Sequence, residues 1–169
     1  MAAMPFGQSL PSVPMVGPLA GTQLSGMQRD DLDCVSHAET LIYPFPWSRG
    51  NFSDCLVSGY DAWVLRRDAE LLAYAILMWI PDEIHLLNLS VLPQCQGRGV
   101  GRALLQVLLE DGRRRGARGM MLEVRPSNAI AAALYESMEF KQIGLRKRYY
   151  PSWNQSREDA RVMFKSFQP

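Results

Sequence analysis

The sequence predicts an α/β fold built on a mixed, mostly antiparallel sheet. Three observations carry that expectation. Apolar runs of strand length alternate with amphipathic helical stretches through the middle of the chain. One glycine-rich turn, "PQCQGRGVG" at residues 93–101, joins a strand to a helix that leads into another strand, the order of a parallel pair. Short connections at both ends of the chain read as antiparallel hairpins. With 169 residues, 47% hydrophobic and 21% charged, the chain suffices for one domain with a single core.

The elements follow in order. Residues 1–26 carry no charge and are interrupted by Pro5, Pro11, Pro14 and Pro18, so they read as a flexible tail outside a domain spanning 27–169. Asp30 to Thr40 places Leu32, Val35 and Ala38 at helical spacing. "YPFPWS", residues 43–48, is a proline-fixed turn whose Ser48 caps a second helix to about Val57. "AWVLRR" and "ELLAYAILMWI" form two strands around a hairpin at Asp68, and residues 83–92 form a third. A helix from about Gly99 to Arg115 has Val100, Leu104, Val107 and Leu108 on one face and ends at Gly116. Residues 119–125 are a strand. Ser127 or Asn128 caps a helix to about Met138. "FKQIGLRKRYY" and "EDARVMFKSF" close the chain as two strands joined by a loop with Pro151 and Trp153.

Composition excludes several function classes. A net charge of +1 gives no electrostatic footprint for nucleic acid or an anionic membrane surface. No apolar run approaches the roughly 20 residues that span a bilayer. Cys34, Cys55 and Cys95 are widely spaced and form no disulfide framework, which points to a reducing compartment, the cytoplasm. His37 and His85 stand alone, so no metal site is expected.

Gly97, Gly99 and Gly101 call for an explanation, because glycine weakens a regular element by roughly 0.5–1 kcal/mol relative to alanine. The first N–H groups of a helix lack internal partners and favour phosphate, and glycines let that backbone approach it. The stretch therefore suits a pyrophosphate. It lacks the Gly-Lys-Ser/Thr ending of a P-loop and the G-x-G-x-x-G order of a dinucleotide fold.

The spacing Gln96-x-x-Gly99-x-Gly101 resembles the acetyl-CoA signature of the GNAT acetyltransferase superfamily. "LNLSVLPQCQGRGVGRALL", "LEVRPSNAIAAALYESMEF", "RYYP…REDARVMF" and the early "PFPWS" extend the likeness over about residues 30–167, within which they are similar to the RimI-type ribosomal-protein alanine N-acetyltransferases. The resemblance implies a sheet splayed at the acetyl-CoA site and flanked by helices. It implies that the backbone of Leu89, Ser90 and Val91 pairs with the pantetheine arm of acetyl-CoA, the cosubstrate. The amides from Gly97 through Arg98, Gly99, Val100 and Gly101 to Arg102 would hold the pyrophosphate, and Asn128 would bond the CoA arm. For Asn128 alone, a plain helix N-cap is an equal reading.

Amide formation needs a base for the amine and an acid for the leaving thiolate. The family pattern offers Glu123 and Tyr135. Locally, alternation puts Glu123 opposite Leu122 and Val124, where it is functional or paired with an arginine, Arg125 or Arg98. Ala131 and Ala132 share a helix face with Tyr135, leaving room for a ligand beside the phenol. Phe45 and Trp47, with Tyr149 and Tyr150, resemble the two loops that grip the first residues of a protein acceptor, here expected to be a ribosomal protein. Glu158 and Asp159 stand open between attracting an α-ammonium and serving as strand-start charges. The family has glycine where Glu139 stands, a left-handed helix-ending position. An alternative within the same fold is acetylation of a small-molecule amine, and one from another class is a CoA-binding module without turnover.

Overall fold

The computed structural model describes residues 15–167. Seven strands hydrogen-bond in the order β1-β2-β3-β4-β5-β7-β6. They are β1 Gln23–Gly26, β2 Asp61–Arg67, β3 Glu70–Ile80, β4 Glu83–Val91, β5 Gly119–Val124, β6 Lys141–Pro151 and β7 Arg157–Ser166. The helices are α1 Leu32–Ile42, α2 Arg49–Val57, α3 Val100–Arg114 and α4 Ala129–Ser137. This is the mixed α/β fold the sequence predicts, antiparallel at β1–β2, β2–β3, β5–β7 and β6–β7 and parallel at β4–β5.

The chain divides into two compact units, residues 1–78 with 88–111 and residues 79–87 with 112–169. In the first, the core gathers Leu32, Val35 and Ala38 from α1, Phe52 and Cys55 from α2, and Val64, Tyr74 and Ile76 from the sheet. The helices begin where local chemistry starts them. Ser48 Oγ accepts the Asn51 N–H at 3.2 Å, and Asn51 Oδ1 accepts the Ser48 N–H at 2.8 Å, so both orphan donors are satisfied.

The tail expected over residues 1–26 is too long. Gly17–Leu19 forms a 3₁₀ turn, and β1 pairs with β2 from Gln23↔Arg66 to Gly26↔Trp63. Leu19 and Leu24 are buried. Absence of charge disguised a short edge strand whose apolar residues lie inside; residues 1–14 lie outside the described residues.

In the second unit, Met120, Leu122 and Val124 of β5 are buried, and Met121 and Glu123 between them are half-buried. The parallel ladder joins Ile84 to Met120, His85 to Met121 and Leu86 to Leu122, after which β4 continues to Val91. Asn128 caps α4 by accepting the Ala131 N–H at 3.2 Å. The helix closes at Glu139, φ 67°, where the Phe140 N–H returns to the Tyr135 carbonyl at 3.0 Å. Among the described residues, no helix is long and apolar enough to cross a membrane.

Candidate active site

The glycine turn belongs to the first unit. β4 ends at Val91, a 3₁₀ turn spans Pro93–Cys95, and α3 begins at Val100. Gly97 and Gly99 adopt φ of 71° and 79°, a conformation L side chains resist, and Gln96 to Gly99 are exposed. A Cβ on Gly99 would meet Pro18 Cγ at 3.2 Å, so the 3₁₀ turn near the start of the chain packs against this bend. Gly101 and Arg102 lie in the first turn of α3, behind buried Val100. Arg98 is exposed. The Gln96 side chain donates to the Val91 carbonyl at 2.9 Å, tying the end of β4 to the start of the turn. Leu89 and Val91 are half-buried, whereas Ser90 is buried with its hydroxyl bonded to Asn88 Oδ1 at 2.6 Å. The bared backbone with two left-handed glycines fits a pyrophosphate ligand on its own chemistry.

Phe45 and Trp47 lie in the connection between α1 and α2, also in the first unit. Trp47 is half-buried against the core, its ring 5.4 Å from Phe52. Part of this indole is therefore structural. Phe45 is half-buried.

In the second unit, Glu123 forms the centre of a cluster. Arg146 Nε on β6 lies 2.9 Å from Glu123 Oε1, a partner other than the Arg125 or Arg98 that the sequence suggests. Sequence spacing cannot find this pair, because β7 separates β5 from β6 and the two registers fix the juxtaposition. Arg146 also lies over the Tyr149 ring at 5.4 Å. Burial, then the hydrogen bond and charge of Glu123, push the Tyr149 phenol above its ordinary range. His85, a lone histidine in the sequence, feels the charges of this cluster. Burial pushes it down, while the charges of Glu83 and Glu123 act upward on it and Arg146 acts downward.

A bulge aims Tyr149. The β6–β7 register shifts between Arg146 and Tyr150, and Arg148 sits at φ 54°. Asp159 accepts the Arg148 N–H at 2.8 Å, and Arg157 donates to the Arg148 and Tyr149 carbonyls at 2.7 and 2.5 Å. Tyr150 stands 4.9 Å from Tyr149 in a T-shaped pair and lies under Arg125 at 4.2 Å. Glu158 accepts the Ser127 N–H at 2.7 Å and its hydroxyl at 2.8 Å. Glu158 and Asp159 are thus engaged in holding loops.

Tyr135 lies on α4, 8% exposed, its ring 5.7 Å from Phe140. The Oδ1 of Asn128 is engaged in capping α4. No group of three or more His, Cys, Asp or Glu residues able to hold a metal occurs among the described residues.

Comparison with known proteins bears on this arrangement. The acetyltransferase (GNAT) family matches residues 32–140. The chain is 39% identical over 140 residues, 83% of its length, to the ribosomal protein bS18-alanine N-acetyltransferase of Escherichia coli K12, covering 94% of that protein. The crystal structure of the E. coli ribosomal-protein-S18-alanine N-acetyltransferase superposes with a TM-score of 0.79 at 37% identity, over 86% of this chain and 93% of that one. Arabidopsis thaliana Naa50, solved with a bisubstrate analogue, shares the fold with a TM-score of 0.73 at 19% identity, over 88% of this chain and 100% of the other.

Proposed function

The chain belongs to the acetyltransferase (GNAT) family, and from that premise we propose that it transfers the acetyl group of acetyl-CoA to the N-terminal α-amine of a protein, with the N-terminal alanine of a small-subunit ribosomal protein as acceptor. The observation that carries this reading is the 39% identity extending over 94% of the E. coli bS18-alanine N-acetyltransferase.

The chemistry falls to two side chains. Glu123, on β5 and 18% exposed, takes the extra proton from the acceptor nitrogen as the neutral α-amine attacks the thioester carbonyl. The C–N bond forms, the C–S bond breaks, and Tyr135 gives its proton to the departing CoA thiolate. The glycine turn orients the pyrophosphate through backbone amides from Gly97 to Arg102, and the Leu89–Val91 backbone aligns the pantetheine arm. Asn128 adds a bond to that arm. Phe45 and Trp47 of the first unit, and Tyr149 and Tyr150 of the second, are the residues that the family resemblance gives to acceptor contact; Tyr149 is 40% exposed and already bonded to Glu123. The three free cysteines fit work in a reducing cytoplasm.

Acceptor class follows partly from proton energetics. An α-amine of pKa about 7.7–8.0 is neutral for roughly a third of the time near pH 7.5, whereas a lysine amine at about 10.4 is neutral about once in a thousand. A single carboxylate base suits the easier amine. The test is acetyl-CoA consumption with three acceptors: peptides beginning with alanine, peptides beginning with bulky residues, and small polyamines. The expected order is alanine peptides first and polyamines last. Faster turnover of a polyamine would replace this reading with acetylation of a small-molecule amine.

A further inference from the structure

The first unit buries a carboxylate that the proposed chemistry does not use. Glu39, on α1, is 2% exposed. Its Oε2 accepts the Tyr74 hydroxyl at 2.5 Å, and its Oε1 accepts the Trp47 backbone N–H at 3.2 Å. The Asn88 amide lies 3.3 and 3.4 Å from the two oxygens. Behind Asn88 the chain of bonds continues. Ser90 Oγ donates to Asn88 Oδ1 at 2.6 Å, and Tyr43 Oη lies 2.9 Å from Ser90 Oγ. With the Ser90 proton committed to Asn88, Tyr43 is the donor to Ser90. Every hydrogen in the chain therefore points toward Glu39.

That direction has two consequences. A carboxylate accepts from every donor at the end of the chain, whereas an amide in its place would turn an N–H toward one of them. Stability alone is a poor account of such a carboxylate, since buried charge is a weak stabiliser that well-packed apolar residues often match. What the carboxylate holds is the 43–48 connection, and it holds it at two points: Trp47 directly, and Tyr43 through Ser90 and Asn88. Pro44 and Pro46 deprive that connection of two backbone donors of its own.

We propose that Glu39 is a positioning residue, fixing the 43–48 connection so that Phe45 and Trp47 meet the acceptor in one arrangement. The inference rests on the acceptor role given above to Phe45 and Trp47. The acceptor, and not acetyl-CoA or the transfer step, is what Glu39 governs.

Steady-state kinetics on Glu39→Gln tests this, with acetyl-CoA affinity measured by calorimetry. The expected result is a rise of about tenfold in acceptor KM, the scale of one lost hydrogen bond to a charged group, with kcat and acetyl-CoA affinity unchanged. An unchanged acceptor KM in the folded variant overturns the proposal. So does a parallel loss of acetyl-CoA affinity, which marks a carboxylate that merely holds its unit together. If Glu39→Gln fails to fold, Tyr43→Phe keeps the ring and cuts only the second tie; acceptor KM should then rise about threefold, the scale of a neutral hydrogen bond, and an unchanged value overturns the proposal equally. The kinetics use whichever amine the wild type acetylates. Wild-type indifference to α-amine peptides would count against the proposed function alone, while the KM comparison on the amine it does use decides the role of Glu39.

Discussion

Tyr135 is 8% exposed and edge-on to Phe140, a setting that serves a core tyrosine as well as an acid. Tyr135→Phe separates the two roles, because the ring and its packing stay. General acids contribute about 10²–10⁴-fold, so kcat should fall by that order while acetyl-CoA affinity holds. Wild-type turnover in the variant would return Tyr135 to the core. Glu139 is a second residue whose setting makes a sharp expectation. It occupies φ 67°, where glycine is unstrained, yet its carboxylate lies 2.7 Å from Lys165 Nζ, and Lys165 is buried. The hydrogen bond and charge of that ammonium hold the Glu139 carboxyl below its usual range. Glu139→Gln keeps the backbone strain and removes the anion, whereas Glu139→Gly removes both. Thermal melting should place wild type highest and the glycine variant above the glutamine variant. A glutamine variant melting level with wild type would show that the ion pair contributes nothing, and one melting above the glycine variant that the strain costs nothing.

At the scale of elements, the glycine turn and β5 carry the most exposed expectations. Gly99→Val introduces a branched Cβ at φ 79° and against Pro18, on a backbone that is read as facing pyrophosphate. Calorimetry should record at least about tenfold weaker acetyl-CoA binding, the loss of one charge-assisted hydrogen bond; unchanged affinity in a folded variant would remove the phosphate from this turn. Which elements the sequence revealed follows the reach of their signals. Ser48, Asn128, Asp68 and Gly116 mark boundaries through bonds or dihedrals within a few residues of themselves, and α2, α4, the β2–β3 turn and the end of α3 fall where these residues put them. β1 is not legible in the sequence, because its four residues, Gln23–Gly26, show no alternation long enough to read. In the candidate site, Glu123 is visible as a carboxylate between Leu122 and Val124. Its partner Arg146 is not, since that pair depends on β7 running between β5 and β6 and on the registers of both pairings. The Glu39 network was hidden for the same reason: its donors come from positions 47, 74 and 88, brought together only by tertiary packing.

For the molecule as a whole, stability against pH reports a buried carboxyl and a half-buried imidazole with opposite signs. Burial holds the Glu39 carboxyl above its ordinary range against the bonds from Tyr74, Trp47 and Asn88. The folded chain thus keeps that proton to higher pH than the unfolded chain, and this contribution to stability is lost as pH rises through the raised value. His85 is pushed down, so its contribution is present above the ordinary imidazole value and is lost as pH falls through the lowered one. Melting temperatures of wild type and His85→Gln should therefore converge or cross below about pH 6.5; parallel curves would mean that His85 titrates alike in both states. Residues 15–26 also count. Removing residues 1–26 exposes the core once covered by Leu19 and Leu24, at about 1.5–3 kcal/mol for each buried leucine side chain, and denaturant unfolding should show a loss of that size.

The central claim is the acceptor's α-amine, and one measurement reaches it most directly. A peptide beginning Ala-Arg-Tyr with one internal lysine is incubated with the protein and acetyl-CoA beside a copy whose N-terminus is blocked. Mass spectrometry should find a single acetyl group on the α-amine of the first and none on the second. Comparable acetylation of the blocked copy would contradict N-terminal transfer and leave a GNAT acetyltransferase that acts on lysine.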